Sequence, residues 1–141
     1  MNWVQLVTFV CGVNFNTSLP QQILDVSSEF GVSETLVLSV IHTESRCNPN
    51  ALGSSNDSGL MQIVPKWHQK RIANLGVDNL FDPYQNMRVG ASLLKALDVN
   101  NNAIDALVVY NGGYRRPQVS YTYANSVLSK SNTYEELLTT R

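Results

Sequence analysis

Apolar residues recur at three- and four-residue spacing along most of this sequence, and no segment alternates convincingly between apolar and polar residues. Ala103, Ala106, Leu107 and Tyr110 follow this helical period. A second set falls near one face of another predicted helix and comprises Met87, Leu93, Leu94 and Leu97. Gly90, on the same helix, leaves room for a close neighbour. The spacing therefore predicts a mainly α-helical chain.

Helix boundaries are marked by residues that satisfy free backbone groups or fix the first turn. The predicted starts are Ser18 with Pro20, Ser33 with Glu34, Pro65, Asp82 with Pro83, and Thr133 with Glu136. Glycines end several of these helices, at Gly31, Gly76 and the pair Gly112-Gly113. The polar loop from 51 to 58 has room for short turns of sheet. No internal repeat or linker divides the chain.

The composition is that of a globular chain with a lightly charged surface. Of 141 residues, 43% are hydrophobic and 15% are charged, which is unlike a disordered chain. The length suits one domain, residues 1–141. A formal net charge of −1 offers no basic field that could hold nucleic acid or anionic lipid. Lys66, Lys70 and Arg71 form the only dense basic cluster, which we interpret as a solvated helix face.

The cysteines and the N-terminus leave alternatives open. Cys11 and Cys47 are too few for a disulfide scaffold or a metal site, and one bridge or two buried thiols both fit. The apolar N-terminus has no Lys or Arg before Arg46, so it is not typical of a signal peptide. Polar residues interrupt it before the length of about 20 residues that a membrane span needs. We expect a short helix that packs against the core.

Glu44 extends an apolar helical stripe. Val37, Val40 and Ile41 lie at i, i+3 and i+4, and Glu44 follows at i+7. Burial and the partial negative charge of the helix C-terminus both disfavour its ionised form, so we expect a pKa of roughly 6–7, suited to a general acid. On periodicity alone, the favoured interpretation is a carboxylate at the edge of the stripe that reaches water or pairs with Arg46 or His42.

A series of short motifs follows Glu44. They are Glu44-Ser45, Gly59-Leu60-Met61-Gln62 with Pro65, Asn86 with Gly90 and Leu94, Tyr110-Asn111 with Gly113, and Pro117 with Tyr123 and Val127. Each motif alone is weak. In this order, over roughly residues 20–130, they resemble the lytic transglycosylase catalytic domain, which belongs to the lysozyme superfamily together with goose-type lysozymes.

The resemblance implies a fold and a reaction. The fold would be a mainly α, lysozyme-like single domain with a polar active-site loop and at most a minimal β element. The reaction would be cleavage of the β-1,4 bond between N-acetylmuramic acid and N-acetylglucosamine in peptidoglycan, without water, to leave 1,6-anhydromuramic ends. Glu44 would act first as acid and then as base, and the acetamido oxygen of the substrate would stabilise C1. No cofactor and no metal are implied.

The resemblance also implies substrate-binding roles for Ser45, Met61, Gln62, Tyr110, Asn111 and Tyr123. Gln62 would donate to a sugar hydroxyl or an acetamido carbonyl, and Met61 would pack beneath a sugar ring. Tyr110 and Tyr123 would flank Glu44. Stacking of Trp67 and Tyr84 on sugar rings is an alternative, and core or partly exposed positions are the favoured interpretation for both.

The implied partner is the glycan strand of peptidoglycan, with no nucleic acid and no stable membrane insertion. The chain would be a monomer or part of a larger virion or envelope assembly, acting in the periplasm or at the cell wall. Since no clear signal peptide is present, a phage virion protein, an endolysin, or a domain cut from a longer exported chain fits.

The chain departs from the family in ways that bear on mechanism. Gly53 stands where the family often has Ser, so Ser54 or Ser55 would take that role, and Val64 stands where goose-type hydrolases tend to carry Asp. A glycosidase normally needs two carboxylates. Asp57 is expected in a turn and Asp105 on an exposed helix face, so a route with one carboxylate fits better. A goose-type-like muramidase, and a non-catalytic glycan-binding module, are the alternatives.

Overall fold

The structure, a computed structural model, describes residues 1–12 and 16–139, and most of this part is helical. The α-helices are α1 (Trp3–Cys11), α2 (Leu19–Phe30), α3 (Glu34–Ser45), α4 (Gln69–Asn74), α5 (Pro83–Ala96), α6 (Ala103–Gly112) and α7 (Gln118–Thr139), with 3-10 turns at Pro65–Trp67 and Gly113–Arg115. Antiparallel bridges pair Leu52 with Ser58 and Ser58 with Ile63. The predicted mainly α fold with a minimal β element is confirmed. Within the described ranges, no helix has the length and apolarity needed to cross a bilayer.

Local signals placed several helix ends correctly. The Ser33 hydroxyl accepts a hydrogen bond from the Leu36 backbone N–H, and the Asp82 carboxylate accepts one from Gln85 at the start of α5. Gly31 ends α2 in the left-handed conformation, with φ of 66°. These ends need only neighbouring residues, which is why the sequence predicts them.

Two predicted helix starts are wrong. Pro65 begins a 3-10 turn, and His68, with φ −129° and ψ 23°, breaks the path before α4 begins. The predicted capping box at Thr133 and Glu136 lies inside α7, where the Thr133 hydroxyl donates to the Ser129 carbonyl oxygen at 3.1 Å. The C-terminal part of α7 packs against the core. This packing outweighs the local capping signal, so the helix runs without a break past Thr133.

The core is centred on α3, which packs against α1, α2 and α7. Val37, Leu38, Val40 and Ile41 are all fully buried, so this helix is covered on more than one face. The buried Ser39 hydroxyl donates to the Val127 carbonyl oxygen of α7 at 2.6 Å. These contacts hold the C-terminal end of α3, where Glu44 lies, in one position.

A disulfide between Cys11 and Cys47 joins the end of α1 to the segment that follows α3. It decides between the two alternatives that the sequence left open. Leu6 and Val7 of α1 are fully buried, which confirms the prediction of a short helix that packs against the core.

Candidate active site

Glu44 lies in the last turn of α3 and is half-buried. Burial raises the pKa of its carboxyl group to about 7. A hydrogen bond from Tyr123 acts in the opposite direction, and the negative charge of Asp57 raises the pKa further. The side chain is therefore close to half-protonated at neutral pH, as a group that both gives and takes a proton requires.

Two tyrosines from different helices lie close to this carboxyl group. The Tyr123 hydroxyl of α7 donates to Glu44 Oε2 at 2.8 Å. The Tyr110 hydroxyl of α6 donates to the Met61 carbonyl oxygen at 2.8 Å. Burial, and then the charge of Glu44, raise the pKa of both phenols well above the ordinary value. Both therefore remain hydrogen-bond donors over the pH range in which Glu44 titrates.

Asn86 of α5 clamps the loop that follows Glu44, a role that sequence reasoning missed. The side chain is fully buried, and its Oδ1 accepts from the Met61 backbone N–H at 2.8 Å. Its Nδ2 donates to the carbonyl oxygens of Ser58 and Leu80, both at 2.8 Å. The sequence signal that could have revealed it was an Asn at helical spacing from Gly90 and Leu94, because a polar side chain on an apolar helix face needs partners when it is buried.

Gly59 is required at this clamp for two reasons. Its φ of 77° lies in the left-handed region. A Cβ atom there would lie 2.3 Å from the Leu80 carbonyl oxygen and 2.4 Å from Asn86 Nδ2. The glycine of the Gly-Leu-Met-Gln motif thus lets the loop approach α5 closely.

Met61 and Gln62 differ from their predicted roles. Met61 is fully buried, and a Cβ at Gly90 would lie 2.4 Å from its sulfur. The prediction that it packs beneath a sugar ring is therefore wrong, because its side chain fills the space that Gly90 leaves. Gln62 Nε2 donates to the carbonyl oxygens of Ala51 and Gly59, at 3.1 and 2.9 Å. Both amide hydrogens are used in the loop, so Gln62 has its oxygen to offer a ligand as an acceptor.

Ser45 and Asn111 also have partners within the protein. Ser45 is buried, and its hydroxyl donates to the Ile41 carbonyl oxygen at 3.0 Å, so the predicted contact with substrate, which stays a prediction, would use the hydroxyl oxygen as an acceptor. Asn111 is exposed, and its Oδ1 accepts from the Ser120 hydroxyl at 2.7 Å. This bond leaves the amide nitrogen of Asn111 as a donor.

A cleft of about 630 Å³ adjoins these residues, within the size range of ligand sites. Its lining includes Gln62, Tyr110 and Asn111 from the predicted set. Glu44 does not line the cleft, but Tyr110 does. The charge of Glu44 raises the pKa of Tyr110, so Glu44 lies close to this wall of the cleft. Of the two serines that could replace the family serine, Ser55 lines the cleft.

The cleft also has lining residues that the sequence analysis did not single out as ligands. They are Ile63, Val64, Trp67, His68, Leu93, Leu97, Val109 and the segment 112–115. The Tyr114 ring in this segment is exposed and stacks with Arg116, 5.6 Å from the ring centroid. The available sequence signal was the aromatic type of Trp67 and Tyr114, but the linear sequence does not show which rings are exposed or which share a surface.

Asp57 and Asp105, the two candidates for a second catalytic carboxylate, lie in different surroundings. Asp57 accepts a hydrogen bond from the Ser55 backbone N–H at 3.2 Å, and its carboxylate occupies the space where a side chain at Gly53 would lie. Its effect on the pKa of Glu44 places it within electrostatic reach of that residue. Asp105 is exposed, as predicted, and forms an ion pair with Arg116 at 2.7 Å. In the described part of the chain, no three His, Cys, Asp or Glu residues are grouped so that they could hold a metal ion.

Comparison with known sequences identifies relatives of this chain. The family model of the Transglycosylase SLT domain matches residues 22–132. The chain is 38% identical over 88 residues to a transglycosylase of Enterobacteria phage PRD1, covering 62% of this chain and 32% of that protein. It is 33% identical over 105 residues to the membrane-bound lytic murein transglycosylase C of Shigella sonnei, covering 62% and 29%. This chain thus spans about a third of the length of these relatives.

Comparison with solved structures identifies the same fold. An inactive mutant of the lytic transglycosylase Slt from Pseudomonas aeruginosa superimposes with a TM-score of 0.76 at 19% identity, covering 88% of this chain and 25% of that one. The 70 kDa soluble lytic transglycosylase from Escherichia coli gives 0.74 at 20% identity, covering 84% and 24%. The likeness confirms the predicted fold.

Proposed function

Because the chain belongs to the Transglycosylase SLT domain family, we propose that it is a peptidoglycan lytic transglycosylase, which cleaves the β-1,4 bond after N-acetylmuramic acid without water. The observation that carries this proposal is the Glu44 carboxyl group, which has a pKa of about 7 and accepts a hydrogen bond from Tyr123. A carboxyl group in this state can protonate a leaving oxygen and later accept a proton at the same pH.

In the first step, the proton of Glu44 moves to the bridging oxygen as the bond between C1 and that oxygen breaks. The electron pair of the broken bond stays on the leaving oxygen. The acetamido oxygen of the muramic residue bonds to C1 and gives an oxazolinium-like species. The Tyr123 hydroxyl stabilises the carboxylate that forms on Glu44, since it donates to Oε2.

In the second step, the C6 hydroxyl oxygen of the same sugar attacks C1, and the proton of this hydroxyl is transferred to the Glu44 carboxylate. The acetamido oxygen leaves C1 as the 1,6-anhydro ring closes. One carboxyl group therefore serves as acid and base, and no water is consumed. The hydroxyl hydrogens of Tyr110 and Tyr123 are donated to the Met61 carbonyl oxygen and to Glu44, so each phenol oxygen would accept a hydrogen bond from the acetamido N–H. Because both phenols keep their protons, they do not compete with Glu44 as bases.

The substrate would lie in the cleft lined by Gln62, Tyr110 and Asn111. With its amide hydrogens bound in the loop, Gln62 would accept a hydrogen bond from a sugar hydroxyl or an acetamido N–H. Asn111 would donate from its amide nitrogen to a sugar oxygen.

A muramidase activity is the second candidate, and the observation that favours it is the charge of Asp57 near Glu44. In that reaction Asp57 would act as the second carboxylate, and water would add at C1. Its carboxylate is already bound by the Ser55 N–H in the turn, which supports the turn role more than the catalytic one.

The decisive experiment combines variants with product analysis by mass spectrometry. Glu44→Gln should lower muropeptide release by about 10³-fold or more, since the amide cannot donate an acidic proton. Asp57→Asn and its matched control Asp105→Asn should each change the rate by only a few-fold, and products should carry anhydro ends. Glycan that lacks the N-acetyl group on its muramic residues should be a very poor substrate. Reducing ends together with a collapse in Asp57→Asn would establish the muramidase instead.

For partners and location, we propose that peptidoglycan glycan strands are the partner and that the cell wall, reached from the periplasm or by a virion, is the place of action. The relatives include a phage transglycosylase and murein transglycosylases, which supports both routes. Glu44→Gln protein should still sediment with purified sacculi, and failure to do so would contradict the proposed partner.

A further inference from the structure

A second cavity, of about 420 Å³, lies beside the cleft and is unused by the proposed reaction. Its lining residues are Trp67, His68, Lys70, Arg71, Asn74, Leu75 and Ser92. Trp67 and His68 also line the cleft, so the two spaces share a wall. A ligand in the cleft would therefore lie next to this second cavity.

The second cavity carries positive charge without a balancing acid. Lys70 and Arg71 line it, and no Asp or Glu does. Within residues 1–12 and 16–139, the ion pairs are Arg88 with Glu29 and Arg116 with Asp105, so neither Lys70 nor Arg71 is neutralised. Arg71 donates from Nη1 to the Ser92 hydroxyl at 2.7 Å, whereas its buried Nε has no hydrogen-bond partner in the described part of the protein.

Trp67 adds an aromatic wall to this charge. Its side chain is 70% exposed, and Lys66 Nζ lies 4.8 Å from the ring centroid. His68 beside it has a pKa lowered by burial and by the charge of Arg71, so it is a neutral imidazole at pH 7, with one donor and one acceptor. An exposed indole held beside unpaired cations suits a ligand with both apolar and anionic parts.

We propose that this second cavity binds the carboxylates of the peptide stem that peptidoglycan carries on the lactyl group of muramic acid, while the glycan strand occupies the cleft. The inference rests on the proposed function, because it assumes that peptidoglycan is the substrate. Lys70 and Arg71 supply the charge, and Arg71 held by Ser92 presents a fixed guanidinium. Since the stem is tethered to the glycan, weak contacts here strengthen binding of the whole strand.

Kinetics on two substrates tests this role. Peptide-bearing glycan is compared with glycan from which an amidase has removed the stems. In the double variant Lys70→Gln, Arg71→Gln, the ratio of kcat/KM on peptide-bearing glycan to that on stem-free glycan should fall about tenfold. Lys95→Gln, which removes an exposed lysine outside both cavities, should keep the ratio of the parent protein. An unchanged ratio in the double variant overturns the proposal.

Direct binding separates this inference from the proposed function. The ¹⁵N-labelled chain is titrated with an isolated stem peptide while both indole N–H signals are followed by NMR. The Trp67 signal should shift with saturation, and the Trp3 signal, whose indole N–H donates to the Pro20 carbonyl oxygen at 2.8 Å, should stay in place. The same peptide with amidated carboxyl groups should shift neither signal. Equal shifts with both peptides, or none at Trp67, overturn the inference even if the parent is active. An inactive parent with a Trp67 shift overturns only the proposed function.

Discussion

Replacing Tyr123 with Phe should move the alkaline limb of the pH–rate profile to higher pH. The Tyr123 hydroxyl donates to Glu44 Oε2 at 2.8 Å, and this bond lowers a pKa that burial has raised to about 7. Phe keeps most of the ring that buries the carboxyl group but removes the donor. The ionised form of Glu44 therefore loses stabilisation, and the residue holds its proton to higher pH.

The size of the effect follows from the charged acceptor. A hydrogen bond to a charged group contributes about 1.5–3 kcal/mol, and 1.36 kcal/mol corresponds to one pH unit. The midpoint of the alkaline limb should therefore move from near 7 to about 8–9. Because an acid must be protonated to act, the relative rate at pH 8 should be closer to its maximum in the variant than in the parent.

The assay is kcat/KM for muropeptide release between pH 4 and 10, with the ¹³C signal of the Glu44 carboxyl group titrated in parallel. Tyr121→Phe is the matched control, since Tyr121 lies on the same helix and forms no described hydrogen bond with Glu44. A midpoint that stays near 7 in Tyr123→Phe, or moves to lower pH, would refute the assignment of this hydrogen bond.

Three further predictions concern stability, measured by urea unfolding. The folded-state pKa of Glu44 is about 7, against an ordinary value of 4.5, so the free energy of unfolding of the parent falls as pH rises between these values. Over that range Glu44→Gln should gain about 3 kcal/mol of stability relative to the parent. A difference between the two proteins that does not change with pH would contradict this linkage. Gly59→Ala should lower the free energy of unfolding by about 2–4 kcal/mol, because its Cβ would meet a backbone oxygen at positive φ. Gly90→Ala should lower it by about 1–2 kcal/mol, because its Cβ would meet a flexible methionine side chain. A larger loss for Gly90→Ala than for Gly59→Ala would be inconsistent with these contacts. Replacing Cys11 and Cys47 together by Ser should cost about 4 kcal/mol by loop-closure entropy, since they are 36 residues apart, and a loss under about 1 kcal/mol would show that the bridge adds little.

Sequence alone determined the features that depend on near neighbours. Helical period identified α5 and α6, and capping residues such as Ser33 and Asp82 marked helix starts because their partners lie three residues away. The same period placed Glu44 on the buried stripe of α3, and a raised pKa followed from that placement. The order of the motifs was enough to indicate the family that the comparisons confirm.

Tertiary structure decided the features that depend on which faces meet. Tyr123 and Glu44 are 79 positions apart, and the Asn86 clamp reaches back 25 positions to Met61. Helical period assigns a residue to a face, but it does not say which other face covers it. From sequence, Met61 was therefore predicted to contact a ligand, whereas the close approach of α5 at Gly90 places its side chain in the core. Lys70 and Arg71 were predicted to form a solvated helix face, whereas in the structure they line a cavity together with Ser92 and Trp67.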